Sequence, residues 1–250
     1  MAGITATKTL TIDAAGVYYR ELNARLREAT EQGYERIELY NVNGQRYIGT
    51  NLRRPVEIVI HGTPGNDLAA FADGLRITVH GNAQDGCGNT MNGGEIVIHG
   101  RAGDILGYSM RGGRIFVRDD VGYRAAIHMK EYGDQKPVIV VGGSAQHFVG
   151  EYMAGGTLVL LDLEGRGHQA EALGTGMHGG LIYIRGHIDK RQLGREVGVE
   201  EPSPEEFAGL RALLADYAQR FDLDLDAIVS QPFLKLYPQS LRPYGRLYAY

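Results

Sequence analysis

Five methionines in this chain fall in register: Met91, Met110, Met129, Met153 and Met177, at spacings of 19, 19, 24 and 24 residues. A Gly-Gly pair stands two and three residues after four of them: Gly93-Gly94, Gly112-Gly113, Gly155-Gly156 and Gly179-Gly180. Five residues after the same four begins an aliphatic pair at alternate positions: Ile96/Ile98, Ile115/Val117, Leu158/Leu160 and Ile182/Ile184. The alternation is already present ahead of Met91 as Ile58/Ile60 and Ile77/Val79. After Met129 it returns five residues late as Ile139/Val141, which predicts an insertion near residues 131–137. A period near 20, short alternating strands and glycine turns describe a solenoid with one coil per repeat.

The repeat predicts its own core. Inward positions stack as Ile58, Ile77, Ile96, Ile115, Ile139, Leu158 and Ile182, with a second column two residues on. Four residues before each methionine stand Cys87, Leu106, Ala125, Val149 and Leu173, all apolar. The next residue is always small: Gly88, Gly107, Ala126, Gly150 or Gly174, which marks a tight turn or a close approach of neighbouring coils. Coils about 4.8 Å apart bury each apolar side chain between its own copies. At about 2 kcal/mol for each buried aliphatic side chain, the columns account for the fold without a ligand.

The flanks read differently. Residues 1–55 form a lead-in: an extended stretch with Leu10 and Ile12, then a helix capped by Asp13. Its apolar positions are Tyr18, Leu22, Leu26 and Ala29, and it stops at Gly33. Asn43-Gly44 signals either a hairpin or an opening coil. The solenoid proper spans 56–195, and the 13–32 helix is expected to cover its first end, where an unpaired coil would invite aggregation. In residues 196–250, Ser203-Pro204-Glu205-Glu206 is a capping box with proline at the first helical position. Phe207, Leu210, Leu214, Tyr217 and Phe221 follow as one helix face, expected to cap or flank the other end. The tail carries Phe233, Tyr237, Tyr244, Tyr248 and Tyr250, and is expected to dock on its own solenoid, the alternative being another subunit or a second copy.

Composition narrows the function. A net charge of −4 gives no electrostatic case for nucleic acid or an anionic membrane. One cysteine excludes a disulfide framework, an iron–sulfur cluster held by this chain alone and a thiolate zinc site. No apolar run reaches the length of a spanning helix, and the first ten residues lack a signal peptide's apolar core, so a cytoplasmic protein is expected.

Several patterns resemble chemistry without its context. Gly174-x-Gly176-x-x-Gly179 spells a dinucleotide fingerprint, yet no strand–helix–strand unit surrounds it and its glycines are repeat positions. Gly107-Tyr108-Ser109 and Gly142-Gly143-Ser144 each miss the last glycine of a serine-hydrolase elbow. His61, His80 and His99 are spaced by 19 and stack at a coil corner, where ladder copies point the same way instead of converging on zinc. Arg118, Gly142 and Arg185 replace them in later coils, which suits a solvated corner. Six residues before each methionine stand Asp85, Asp104, Tyr123, His147 and Glu171, an exposed ladder or a partner-facing stripe. Cys87 lies in an apolar column and reads as a buried, inert thiol. No catalytic, cofactor-binding or metal-ligating residue is assigned.

The run Gly100-x-x-Gly103-Asp104-x-x-Gly107-x-x-Met110-x-Gly112-Gly113-x-Ile115-x-Val117, with its neighbours, resembles the GXGXG repeat domain over about residues 56–187. That domain is the right-handed parallel β-helix at the C-terminus of the glutamate synthase large subunit. It also occurs as a free-standing chain in split glutamate synthase and N-methylglutamate synthase-type complexes, and as the C subunit of formylmethanofuran dehydrogenase. The segments 37–49 and 122–136 look most like the free-standing members. The resemblance implies a mainly β fold and a non-catalytic scaffold subunit of a glutamate synthase-like oxidoreductase. Its implied partners are a glutamine amidotransferase chain and a synthase chain that carries FMN and an iron–sulfur cluster, neither cofactor being bound here. A formylmethanofuran dehydrogenase-type subunit is the alternative. A self-contained enzyme binding a small molecule on the solenoid face is the alternative of another class.

Overall fold

The computed structural model describes residues 7–240. Its centre is a run of parallel strands: β1 (Thr9–Asp13), β2 (Arg36–Asn43), β3 (Glu57–Thr63), β4 (Leu75–His80), β5 (Gly94–Ile98), β6 (Arg114–Val117), β7 (Val138–Val141), β8 (Ala154–Leu160) and β9 (Gly179–Arg185). Each pairs in parallel with the next, one strand per coil. The register matches the repeat: Ile58, Ile77, Ile96, Ile115, Ile139, Leu158 and Ile182 are successive partners, as are Ile60, Val79, Ile98, Val117, Val141, Leu160 and Ile184. None of these side chains is more than 1% exposed, so the columns are the core.

The turns between strands stack as regularly. Gly107 N–H donates to Cys87 O (2.8 Å), Ala126 to Leu106 (2.8 Å), Gly150 to Ala125 (2.8 Å) and Gly174 to Val149 (2.7 Å). Leu106, Val149 and Leu173 therefore lie in one column, as the spacing predicts. Three alternate residues of each turn take left-handed backbone, such as Ile105 (φ 52°), Gly107 (φ 66°) and Ser109 (φ 51°). Their N–H groups then point alternately along the rod. Ile105 and Ser109 donate to Tyr123 (2.7 Å) and Ile127 (2.9 Å) of the following coil, while Gly107 donates to the preceding one. Left-handed backbone at a non-glycine costs about 1–2 kcal/mol. Here it recurs in coil after coil, so it belongs to the repeat and does not mark a site.

The methionine–glycine spacing has a steric cause. A Cβ at Gly113 would stand 2.5 Å from Met91 Cε, and one at Gly180 would stand 2.6 Å from Met153 Cε. Each of these methionine tips thus lies over the second glycine of the following coil's pair. Two polar ladders account for further glycines. In one, Asp85 Oδ1 accepts from Asp104 N (2.9 Å) and Asp104 Oδ1 from Tyr123 N (2.8 Å); in the other, three residues earlier in each coil, Asn82 Oδ1 accepts from Arg101 N (2.9 Å) and Asp120 Oδ1 from Ser144 N (2.9 Å). A Cβ at Gly103, Gly122 or Gly143 would strike the carboxylate making that bond.

The first end departs from the sequence expectation at the start of its helix. Asp13 does not cap a helix: it ends β1, and its carboxylate accepts from Ala15 N (3.0 Å) and Asn41 Nδ2 (2.9 Å). The chain turns at Gly16 (φ 69°), and helix α1 (Tyr19–Glu31) starts later with no side-chain cap. Tyr18 is consequently 59% exposed, while Leu22, Leu26 and Ala29 are buried in the same apolar cluster as Ile12, Ile37 and Leu39. Helix α1 thereby covers the first coil, and Asn23 Nδ2 ties it to Arg46 O at 2.9 Å. Asn43-Gly44 leads into a coil, not a hairpin, because β2 runs parallel to β3. The insertion after Met129 is a two-residue hairpin, Tyr132 and Gln135 exchanging backbone bonds of 3.2 and 3.1 Å.

At the other end Ser203 caps helix α2 (Pro204–Phe221) with the full capping box. The helix flanks the rod. Leu210, Leu214, Tyr217 and Phe221 cluster with Val97, Phe116, Val140, Val159 and Tyr183, the residues between the inward columns, which face outward. A short helix α3 (Leu225–Val229) follows. The final coil is closed by antiparallel strands: β11 (Phe233–Pro238) pairs with β9, and β10 (Val197–Glu200) pairs with β11. The first part of the tail therefore docks on its own solenoid, while Tyr244, Tyr248 and Tyr250 lie outside the described residues. Among the described residues no helix is long and apolar enough to cross a membrane.

Candidate interaction surface

The three-histidine ladder forms a ring stack. Tyr40 lies on His61 (4.4 Å, 9°), His61 on His80 (5.1 Å, 19°) and His80 on His99 (4.9 Å, 24°), and Phe221 meets His99 edge-on at 5.2 Å. The imidazoles lie face over face and do not converge on a common point. Burial, and then the charge of His61, push the His80 pKa down. Burial, His80 and Arg118 do the same for His99.

The solvated corner expected beyond His99 is covered in part. Tyr217 Oη donates to Val117 O (3.1 Å) at the position of Gly142, where a Cβ would strike both that hydroxyl and Arg118 O. Arg185 Nε donates to Ile228 O at 2.7 Å, below α3. The outward apolar face of the sheet draws the C-terminal helices over this corner, which is why its later members are not all in water.

The other sequence candidates resolve into structure. Cys87 is 1% exposed, and burial alone pushes its thiol up to about 12. The Asp85/Asp104 column bonds coil to coil, and His147 Nδ1 accepts from Glu171 N (3.0 Å) in the same manner. Gly174 and Gly176 sit in the left-handed turn positions of the last coil, with φ of 66° and 70°. Among the described residues no group of three or more His, Cys, Asp or Glu is placed to hold a metal ion.

A surface that the sequence pattern does not single out lies one residue before each methionine. This column is left-handed and carries Thr90, Ser109, His128, Tyr152 and Gly176, with Phe71 in the corresponding place one coil earlier, ahead of Ala72. Phe71 and Tyr152 are about half exposed. His128 stacks flat on Tyr152 (5.3 Å, 11°), and Tyr108 meets His128 edge-on at 5.9 Å. The rings border a groove of about 390 Å³ that also takes in Gly176, His178, Glu196 and Ser240. A Cβ at Gly176 would come within 2.6 Å of the Tyr152 ring, so glycine is what lets the ring lie across that coil. Glu196 is exposed, and its Oε2 accepts only a long bond from Gly176 N (3.4 Å). Among the described residues no cation pairs with it.

The family model for the GXGXG motif matches residues 38–242, most of the chain. The chain belongs to the GXGXG family. A GXGXG relative from Methanocaldococcus jannaschii, named as an uncharacterized protein, is 44% identical over 248 residues, covering 95% of each chain. A solved neighbour of this GXGXG chain is a chain of the formyltransferase/hydrolase complex from Methylorubrum extorquens, crystallised with methylofuran. The two superpose with a TM-score of 0.62 over 92% of this chain and 90% of that one, at 18% identity. That likeness is one of fold.

Proposed function

We propose that this GXGXG chain is a structural subunit of a cytoplasmic, multi-subunit, glutamate synthase-like oxidoreductase. It holds a glutamine amidotransferase chain against a synthase chain that carries FMN and an iron–sulfur cluster. The observation that carries this reading is the filled rod: from Leu68 to Leu173 the interior columns are apolar side chains at 0–5% exposure. The polar ladders on the surface spend their acceptors on backbone N–H groups of neighbouring coils. A stiff body with long lateral surfaces suits fixing the distance between two catalytic chains, as other solenoids use extended faces for binding.

A second reading has its own support, the fold likeness to a chain of the formyltransferase/hydrolase complex. In it the chain is the C-type subunit of a formylmethanofuran dehydrogenase-like assembly. One experiment separates the two: a tagged copy is purified from the native host, and the visible spectrum and metal content of what accompanies it are measured. A flavin spectrum with iron, and glutamine-dependent amino transfer in the eluate, are the expected results. Tungsten or molybdenum without flavin favours the second reading. Glutamine or ester turnover by the isolated chain contradicts both.

A further inference from the structure

The two ends of the rod are finished differently. Helix α1 covers the first coil, and its Leu22, Leu26 and Ala29 are at most 3% exposed. At the last coil the inward columns stop at strand β10. Ile182 lies opposite Leu236 and Leu236 opposite Val199, while Leu173 is bridged to Leu193. Val199 and Leu193 are only half-buried, and they border a hollow of about 540 Å³ together with Val197 and Tyr237. Strand β10 is also the edge of the sheet, since among the described residues it pairs with β11 alone. Gln239 N–H donates to Glu196 O (2.8 Å), and the alternation of an antiparallel ladder then turns Gly198 and Glu200 toward β11 and Val199 away from it. The Val199 N–H and C=O therefore offer a donor and an acceptor to another strand.

The charges along this edge run in an order that suits its own copy. Arg195 precedes β10, and Glu200 and Glu201 follow one another at its end. Glu200 is held by Lys235 (2.6 Å), and Glu196 leans back toward Gly176 N (3.4 Å). Arg195 and Glu201 are exposed and make no ion pair among the described residues. When two copies of one strand pair antiparallel about a two-fold axis, the start of each meets the end of the other. An axis at Gly198 sets Arg195 opposite Glu201 and Val199 opposite Val197, so each Val199 N–H reaches the other copy's Val197 C=O.

We propose that the β10 edge pairs with the β10 edge of a second copy, antiparallel about a two-fold axis, joining two rods end to end into one continuous sheet. The pairing covers the open end of each core. It is isologous and closed, so it stops at a dimer. It is independent of which complex the chain joins.

Sedimentation equilibrium of the full-length chain over about 1–100 μM tests this, because a dimer's population follows protomer concentration. The wild-type chain is expected to dimerise. Val199→Pro removes the edge donor and leaves the β11 ladder intact, as proline allows on an edge strand, and should give a monomer. Arg195→Glu or Glu201→Arg alone should weaken the dimer about tenfold, since the axis presents each charge pair twice. The two changes together should restore it. If Val199→Pro folds poorly, the charge series decides alone. A wild-type chain that stays monomeric throughout would overturn the proposal. So would a dimer that neither the proline nor the charge changes weaken, because its interface would lie elsewhere. Assemblies that keep growing with concentration would also overturn it, as head-to-tail stacking of β10 on β1 does not close.

Discussion

Glycine is plentiful in this chain, 36 of 250 residues, but its positions are not equivalent, and the structure separates them. Gly107 has left-handed backbone and would set a Cβ against the flexible tip of Ile139, while Ala126 fills the same place one coil on. Gly107→Ala is therefore expected to cost only about 1–2 kcal/mol. Gly142 faces a carbonyl and the buried Tyr217 hydroxyl, neither of which yields easily. Gly142→Ala should cost about 3 kcal/mol through overpacking and the lost hydrogen bond, and urea unfolding of the two variants would show the order. Met129→Ala, at 0% exposure within its column, should cost about 2–5 kcal/mol. The columns were legible in the sequence because stacked coils repeat the same burial at the same spacing. The left-handed residues were not, since Ile105 and Phe148 carry side chains that ordinarily argue against such backbone.

Helix α2 could be read from Ser203 to Phe221 because its capping box and 3–4 periodicity are both local signals. Where it packs could have been read as well. Val97, Phe116, Val140, Val159 and Tyr183 turn each strand into a continuous apolar run, the mark of a sheet buried on both faces. The start of α1 was obscured because Asp13 serves a turn equally well as a cap. The attachment of α2 to β11 is electrostatic as well as apolar. Glu206, which closes the capping box, also accepts from Lys235 Nζ at 2.6 Å. Lys235, and then the Ser203 amide, hold its carboxyl at about 2. A depressed acid stabilises the fold above its unfolded value of ~4.3, and the contribution fades as pH falls toward the folded value. Thermal melts at pH 5 and pH 3 should therefore show a larger loss for the wild type than for Glu206→Gln. The histidine stack has the same sign at a higher pH. His80 and His99 are pushed down, so the folded state favours neutral rings and stability is lost as pH falls below ~6.5. His80→Asn should soften the drop in melting temperature between pH 7.5 and pH 5.

The rod as assembled explains why sequence could give an architecture in detail and a site hardly at all. Its order comes from copies of one coil bonding to each other, and such order leaves a clear periodic trace. The groove at His128, Tyr152 and Glu196 breaks that periodicity: its residues are unlike from coil to coil, and Glu196 comes from the closing segment. No repeat could announce it. In the proposed complex the chain contributes position and not chemistry, so its exposed and half-buried titratable groups should be dispensable for turnover. The most direct measurement is kcat for the purified native complex in which this chain carries His61→Gln, Asp104→Asn and His128→Gln together. A structural subunit leaves it within about twofold of the unmodified complex, whereas loss of a general acid or base costs about 10²–10⁴-fold. A hundredfold fall in kcat with the complex still assembled would contradict a structural role.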